Sequence, residues 1–284
     1  NYTQTHARKH KITHLYGSIP AGYASARSDY RLKQMSISAF MEYLEEVNRH
    51  KLIFQYTLNT SCVGAPEQIP YKKLYDLIDK LAYNDVQEFI IAEPLFLRWM
   101  HKEFPKLKLE VSTIAGVESI EQVKAWHDLG ATSICGKVEL NRNLSMLRLL
   151  NNTCADLNMG YRLLVNEACL PGECIWRRSC YNYQAHNSTS RISYEYCTSM
   201  RKKDPSAWVR AKMIYPEWIE EYIRYTGIAD FKISGRTSTT TDVMRIAEMY
   251  LDGDSGDAYV SDLSPGYERL RGQQEQETCN VKVM

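Results

Sequence analysis

The chain has 284 residues, 44% hydrophobic and 24% charged, a globular composition that excludes a disordered or fibrous protein. Its 35 basic and 34 acidic residues leave a formal net charge of +1, so no global field favours a nucleic-acid partner. Apolar runs such as Phe89-Ile90-Ile91-Ala92 are too short to span a bilayer, and residues 1–14 lack an apolar signal core. No membrane partner and a cytoplasmic location are therefore expected.

In chain order, residues 1–10 read as a flexible extension. Strand-like runs follow at 12–19, 52–59, 86–93, 107–113, 132–138 and 161–166, with a weaker one at 210–214 and a clear one at 230–234. Helical stretches separate them, near 36–50, 119–129, 141–157 and 216–225. Leu74, Leu77, Ile78 and Leu81 recur at i, i+3, i+4 and i+7, and Val243, Ile246, Ala247 and Tyr250 do likewise. Gly130 and Gly227 each close a helix before a strand. Eight strands alternating with helices mean parallel βαβ units. The count favours a (β/α)8 TIM-like barrel over residues 11–253. Neither G-x-G-x-x-G nor G-x-x-x-x-G-K-[ST] occurs, so the usual open-sheet nucleotide signatures are missing.

Two segments break the rhythm. Residues 167–209, after strand six, have no clean period, and long connections in compact domains are usually functional. Residues 254–284 are rich in Gly, Ser, Asp, Glu and Gln and read as a loose tail.

Four of the eight cysteines, Cys169, Cys174, Cys180 and Cys197, lie in the insertion. They begin where strand six ends, at the face of a barrel where active sites form. Their spacing contains no C-x2-C, which argues against a zinc ribbon or knuckle. Thiolates at irregular spacing suit an iron–sulfur cluster, which asks only that its sulfurs converge. In a cytoplasmic protein the alternatives are buried thiols and, less readily, disulfides. Cys62 follows strand two by three residues and is a further candidate ligand at the same face. Cys154 falls on a helix's apolar face and Cys135 in strand five, so both read as core.

The stretch Leu164-Val165-Asn166-Glu167-Ala168-Cys169-Leu170, followed by Cys174 and Arg177, resembles the core motif of the peptidase U32, collagenase-like, family. Asp230-Phe231-Lys232-Ile233-Ser234-Gly235-Arg236 resembles that family's F-K-I-x-G-R strand, and Met213-Ile214-Tyr215-Pro216-Glu217 its penultimate strand-to-helix turn. The resemblance implies a barrel holding a four-cysteine [4Fe–4S] cluster. It also implies oxygen-independent hydroxylation, which better understood members support on ubiquinone precursors and RNA bases. Here Ile175 stands where the family commonly has proline, and Cys180 where it often has histidine. Five cysteines, Cys62, Cys169, Cys174, Cys180 and Cys197, then compete for four places.

Lys232, Ser234 and Arg236 share one face of the last strand and should point into the barrel. Arg236 could hold a carboxylate or phosphate bidentately. Glu93 and Asn166 end strands, and Arg142 opens a helix at the same mouth. These five, Arg236, Lys232, Glu93, Asn166 and Arg142, are the candidate substrate contacts, each with a structural alternative. The leading functional reading is cluster-dependent redox chemistry on a small or tethered substrate. The alternatives are sulfur transfer at an open cluster iron, peptidase action, and a non-catalytic subunit bound to a heteromeric protein partner. Neither H-E-x-x-H nor G-x-S-x-G occurs to support a peptidase.

Overall fold

The computed structural model describes residues 11–19, 35–60, 69–170, 174, 180, 192–204, 206–235, 238–258 and 260–263. Its strands are β1 (His14–Gly17), β2 (Ile53–Leu58), β3 (Glu88–Ile91), β4 (Lys108–Val111), β5 (Ser133–Cys135), β6 (Gly160–Leu164) and β7 (Phe231–Lys232). Its α-helices are α1 (Ile37–Arg49), α2 (Tyr71–Tyr83), α3 (Pro94–Glu103), α4 (Ile120–Asp128), α5 (Leu144–Asp156), α6 (Ile192–Lys203), α7 (Ala207–Arg210), α8 (Ile219–Thr226) and α9 (Thr240–Asp252).

Local chemistry explains these boundaries. Ser36 Oγ accepts from Ala39 N–H and starts α1, which buries Phe40, Leu44 and Val47 along one stripe. Leu74, Ile78 and Leu81 do the same for α2. Thr239 and Asp242 form a reciprocal capping box at the start of α9. Gly130, at φ +101°, admits no side chain: an added Cβ would lie 2.1 Å from His101 Cγ.

All seven strands are parallel and lie in sequence order from β1 to β7. Among the described residues they form a TIM-like half-barrel rather than the expected eight-stranded closed barrel. The missing strand is the one expected at 210–214. Arg210 ends α7, and residues 211–215 cross the carboxyl end of the sheet instead of joining it. The reason lies in their partners. β7 pairs directly with β6, with Leu163 opposite Phe231 and Leu164 opposite Lys232, and so takes the seventh place. Ile214 N–H then donates to Val165 O at 2.9 Å, and Lys212 N–H to Cys169 O at 2.8 Å. Asn141, fully buried, clamps the crossing by donating to Leu164 O at 2.9 Å and Lys212 O at 3.0 Å.

The outer faces of the strands, including Phe54, Tyr56, Phe89, Leu109, Ile134 and Leu163, pack with the helices in one main core. Phe231 and Ile233 join this layer, as period two predicts for the last strand. Part of the segment read as a loose tail is anchored. Leu263 is fully buried in that core, and Ser255 N–H donates to Glu217 at 2.8 Å. Among the described residues no helix is long and apolar enough to cross a membrane.

Candidate functional site

Inside the half-barrel the strands carry charge. Gln55, Glu88, Glu110 and Arg162 are buried on β2, β3, β4 and β6, where branched apolar residues usually fill a barrel. Arg162 contacts Glu110 at 2.9 Å, Asp230 at 2.7 Å and Gln55 Oε1 at 2.7 Å. Lys232 Nζ lies 2.8 Å from Glu110 and 4.3 Å from the centre of the Tyr16 ring. Gln55 also donates to Glu88 at 2.8 Å, and Lys108 reaches Glu88 at 3.1 Å.

These groups compensate one another. Burial alone would raise the Glu110 carboxyl, but the charges of Lys232 and Arg162 outweigh it and hold the pKa below the ordinary value. Glu88 also overcomes burial: hydrogen bonds from His14, Gln55 and Lys108 hold it near 2. Arg162 stays charged against the cost of burial because Glu110 and Asp230 flank it. The network escaped sequence reasoning, although a signal exists: Gln55 in Ile53–Leu58, Glu110 in Lys108–Val111 and Arg162 in Gly160–Leu164 each put a polar side chain at an inward position.

The expected substrate contacts are mostly spoken for. Lys232 is ion-paired within this network. Glu93 is the N-cap of α3, accepting from Phe96 N–H at 2.8 Å. Asn166, fully buried, staples β6 to the end of β7 by donating to Ser234 O at 3.0 Å and accepting from Ser234 N–H at 2.7 Å. Arg142 donates to Ala211 O at 3.0 Å and stacks on Trp218, 4.2 Å from its ring centre. Arg236 lies outside the described residues.

The cysteines divide by burial. Cys135 and Cys154 are enclosed, and burial pushes both thiols up to about 12, so both stay neutral at physiological pH. Cys169, Cys174, Cys180 and Cys197 are only half-buried, and no disulfide joins the six described cysteines. Cys62 lies outside the described residues. Cys169 follows β6 and packs on Cys135, Val138 and Leu164, over the carboxyl end of the sheet. Cys197 sits on α6, one turn before Arg201. Arg201 donates to Ala168 O and lies 4.4 Å from the centre of the Trp208 ring. Residues four apart share a helix face, so this tether turns the Cys197 side of α6 toward the Ala168-Cys169 backbone. Among the described residues no three Cys, His, Asp or Glu side chains converge as a metal site. The donor chemistry nevertheless suits an iron–sulfur cluster: four half-buried cysteines from one insertion, two of them on segments tethered to each other.

A model of peptidase family U32 matches residues 7–278. The chain belongs to peptidase family U32. Among U32 relatives, it is 25% identical over 225 residues to the uncharacterized protease MJ1657 of Methanocaldococcus jannaschii, covering 75% of this chain and 65% of that protein. It is 24% identical over 239 residues to tRNA hydroxylation protein P of Helicobacter pylori, covering 81% of this chain and 53% of that protein. The U32 chain thus spans less than two thirds of either curated relative. A solved structure, that of the U32 peptidase Mk0906, superposes with a TM-score of 0.54 at 16% identity, over 82% of this chain and 96% of that one. That likeness concerns the fold.

Proposed function

We propose that this U32 protein is an iron–sulfur enzyme performing oxygen-independent redox chemistry, of the hydroxylation type, on a small or tethered substrate at the carboxyl end of the half-barrel. The observation that carries the reading is the contrast among the cysteines. Cys135 and Cys154 are sealed in the core, whereas the four in the insertion stay half-exposed and without disulfides. Membership of U32 and the relative named as a tRNA hydroxylation protein support it.

Cys169, Cys174 and Cys197 would hold a [4Fe–4S] cluster, with Cys62 or Cys180 supplying the fourth thiolate. The bound cluster would supply electron transfer. The chain's own residues do the rest. Asn141 and Asn166 fix the ends of β6 and β7, so the segment bearing Cys169 leaves the sheet in one direction. The Arg201 tether sets the approach of Cys197. Because Lys232, Glu93, Asn166 and Arg142 already have structural partners, Arg236 is the proposed anchor for an acidic group of the substrate.

Single Cys→Ala variants, prepared without oxygen, test the ligand set. Cys169→Ala, Cys174→Ala and Cys197→Ala should each lose iron, while Cys154→Ala keeps it. Full iron with an unchanged absorption spectrum in Cys169→Ala would remove the proposal. Arg236→Ala should keep its iron and lose substrate affinity, and Arg236→Lys should recover little of it.

A further inference from the structure

Beside β1 and β7 lies a cavity of about 560 Å³ that reaches from the charged interior to the helix layer. Its two ends differ in chemistry, because successive residues of a strand face opposite sides. Leu15, Phe231 and Ile233 stand on the helix side. There Val243, Ala247 and Leu251, four residues apart along α9, line the cavity with Tyr43 of α1. His14, Tyr16, Gln55, Arg162 and Lys232 line the inward side.

Charge at the inward end does not cancel. Arg162 and Lys232 meet two carboxylates, Glu110 and Asp230, which balances both cations. Glu88, 3.4 Å from His14, is met by Lys108 at 3.1 Å. Lys11 lines the same cavity, and among the described residues no carboxylate pairs with it. With His14 counted neutral, Lys11 is therefore a surplus positive charge. Donor capacity also remains. Lys232 has three N–H groups; Glu110 takes one at 2.8 Å, and Nζ stands 4.3 Å from the centre of the Tyr16 ring. Asp230, the carboxylate in the lining, accepts two bonds from Arg162 on Oδ2, at 3.0 and 2.7 Å, which offset its charge.

We infer that this cavity binds an amphipathic monocarboxylate: an apolar chain that ends in one carboxylate. The head takes Lys11 and the remaining donors of Lys232. The tail lies along Val243, Ala247 and Leu251, where its burial drives binding. A pocket of this size, with mainly apolar walls and a few polar groups that converge, is the usual form of a small-molecule site. A cationic head would be repelled by Lys11 and Lys232. An uncharged chain would leave their donors unused. No cysteine is among the described lining residues, so the inference does not rest on the proposed cluster.

Calorimetric titration of the full chain with hexanoate, octanoate and decanoate tests this. Affinity should rise about four-fold for each added methylene. Decylammonium, with the same tail and the opposite charge, should bind more weakly than decanoate. Lys11 is exposed, so Lys11→Gln should fold normally. It should weaken decanoate about five-fold and leave the affinity for decanol unchanged. Ala247→Phe, which puts a ring in the path of the tail, should block decanoate and decanol alike. The inference would be overturned if decanoate did not bind, or if decylammonium bound as tightly. Unchanged decanoate affinity in Lys11→Gln, or in folded Ala247→Phe protein, would overturn it too, because the ligand would then sit elsewhere.

Discussion

Glu110 is the residue on which the interior turns. It is almost wholly enclosed, yet two cations meet it, at 2.9 Å from Arg162 and 2.8 Å from Lys232. Removing one member of a buried, compensated set strands the others, at a cost of about 3–5 kcal/mol. Glu110→Gln should therefore lower the urea midpoint by that amount of stability, and a loss below about 1 kcal/mol would show that water enters the network. Glu88 adds a pH dependence. Its folded pKa of about 2 lies below the ordinary 4.5, so its stabilisation is fully present above pH 4.5. It is lost as pH falls from there toward 2, so Glu88→Gln should flatten the acid limb of a melting-temperature profile in that window. Arg142 is held by Ala211 O and the Trp218 ring. Arg142→Ala should cost about 1–3 kcal/mol while leaving iron content unchanged, because its partners are a carbonyl and two aromatic rings.

At the scale of elements, α6 is the piece that connects fold to site. Arg201 bonds Ala168 O and stacks on Trp208, fastening the helix that carries Cys197 beside the segment that carries Cys169. Arg201→Met should preserve the melting temperature of the sheet and its helices yet speed iron loss under a chelator; an unchanged rate would separate the helix from the site. Much of this organisation was legible beforehand. All seven strands and the helices α1, α2, α4, α5, α8 and α9 follow from short apolar runs and helical patterning, and Cys154 was recognisable as core from its place beside Leu147 and Leu150. The weak run at 210–214 misled because its apolar residues Met213 and Ile214 are indeed buried, but as part of a crossing segment, and burial alone does not distinguish a strand from a crossing. Lys232, Glu93, Asn166 and Arg142 were legible as polar residues in the last strand or at strand and helix ends. Their structural partners were not, because those bonds join residues distant in sequence or depend on cap geometry. The interior network stayed hidden for the same reason: the partners of each polar residue lie on other strands, and only the parallel register brings Glu110, Arg162 and Lys232 together.

The described residues of this U32 protein build a seven-stranded half-barrel with a charged and compensated interior, and Cys169 lies at the carboxyl end of its sheet. Its interior cations are spent on holding strands together. The proposed chemistry is thereby confined to what leaves the strands at the mouth: Cys169 after β6, Cys197 on α6, and Arg236 after β7. The claim that these parts serve an iron–sulfur cluster is tested most directly by metal and sulfide analysis of the full chain purified without oxygen. The account predicts a brown protein containing iron and acid-labile sulfide in near-equal amounts, both lost together in Cys169→Ala. Stoichiometric zinc without sulfide, or neither metal nor sulfide in protein prepared under iron-replete anaerobic conditions, would contradict it.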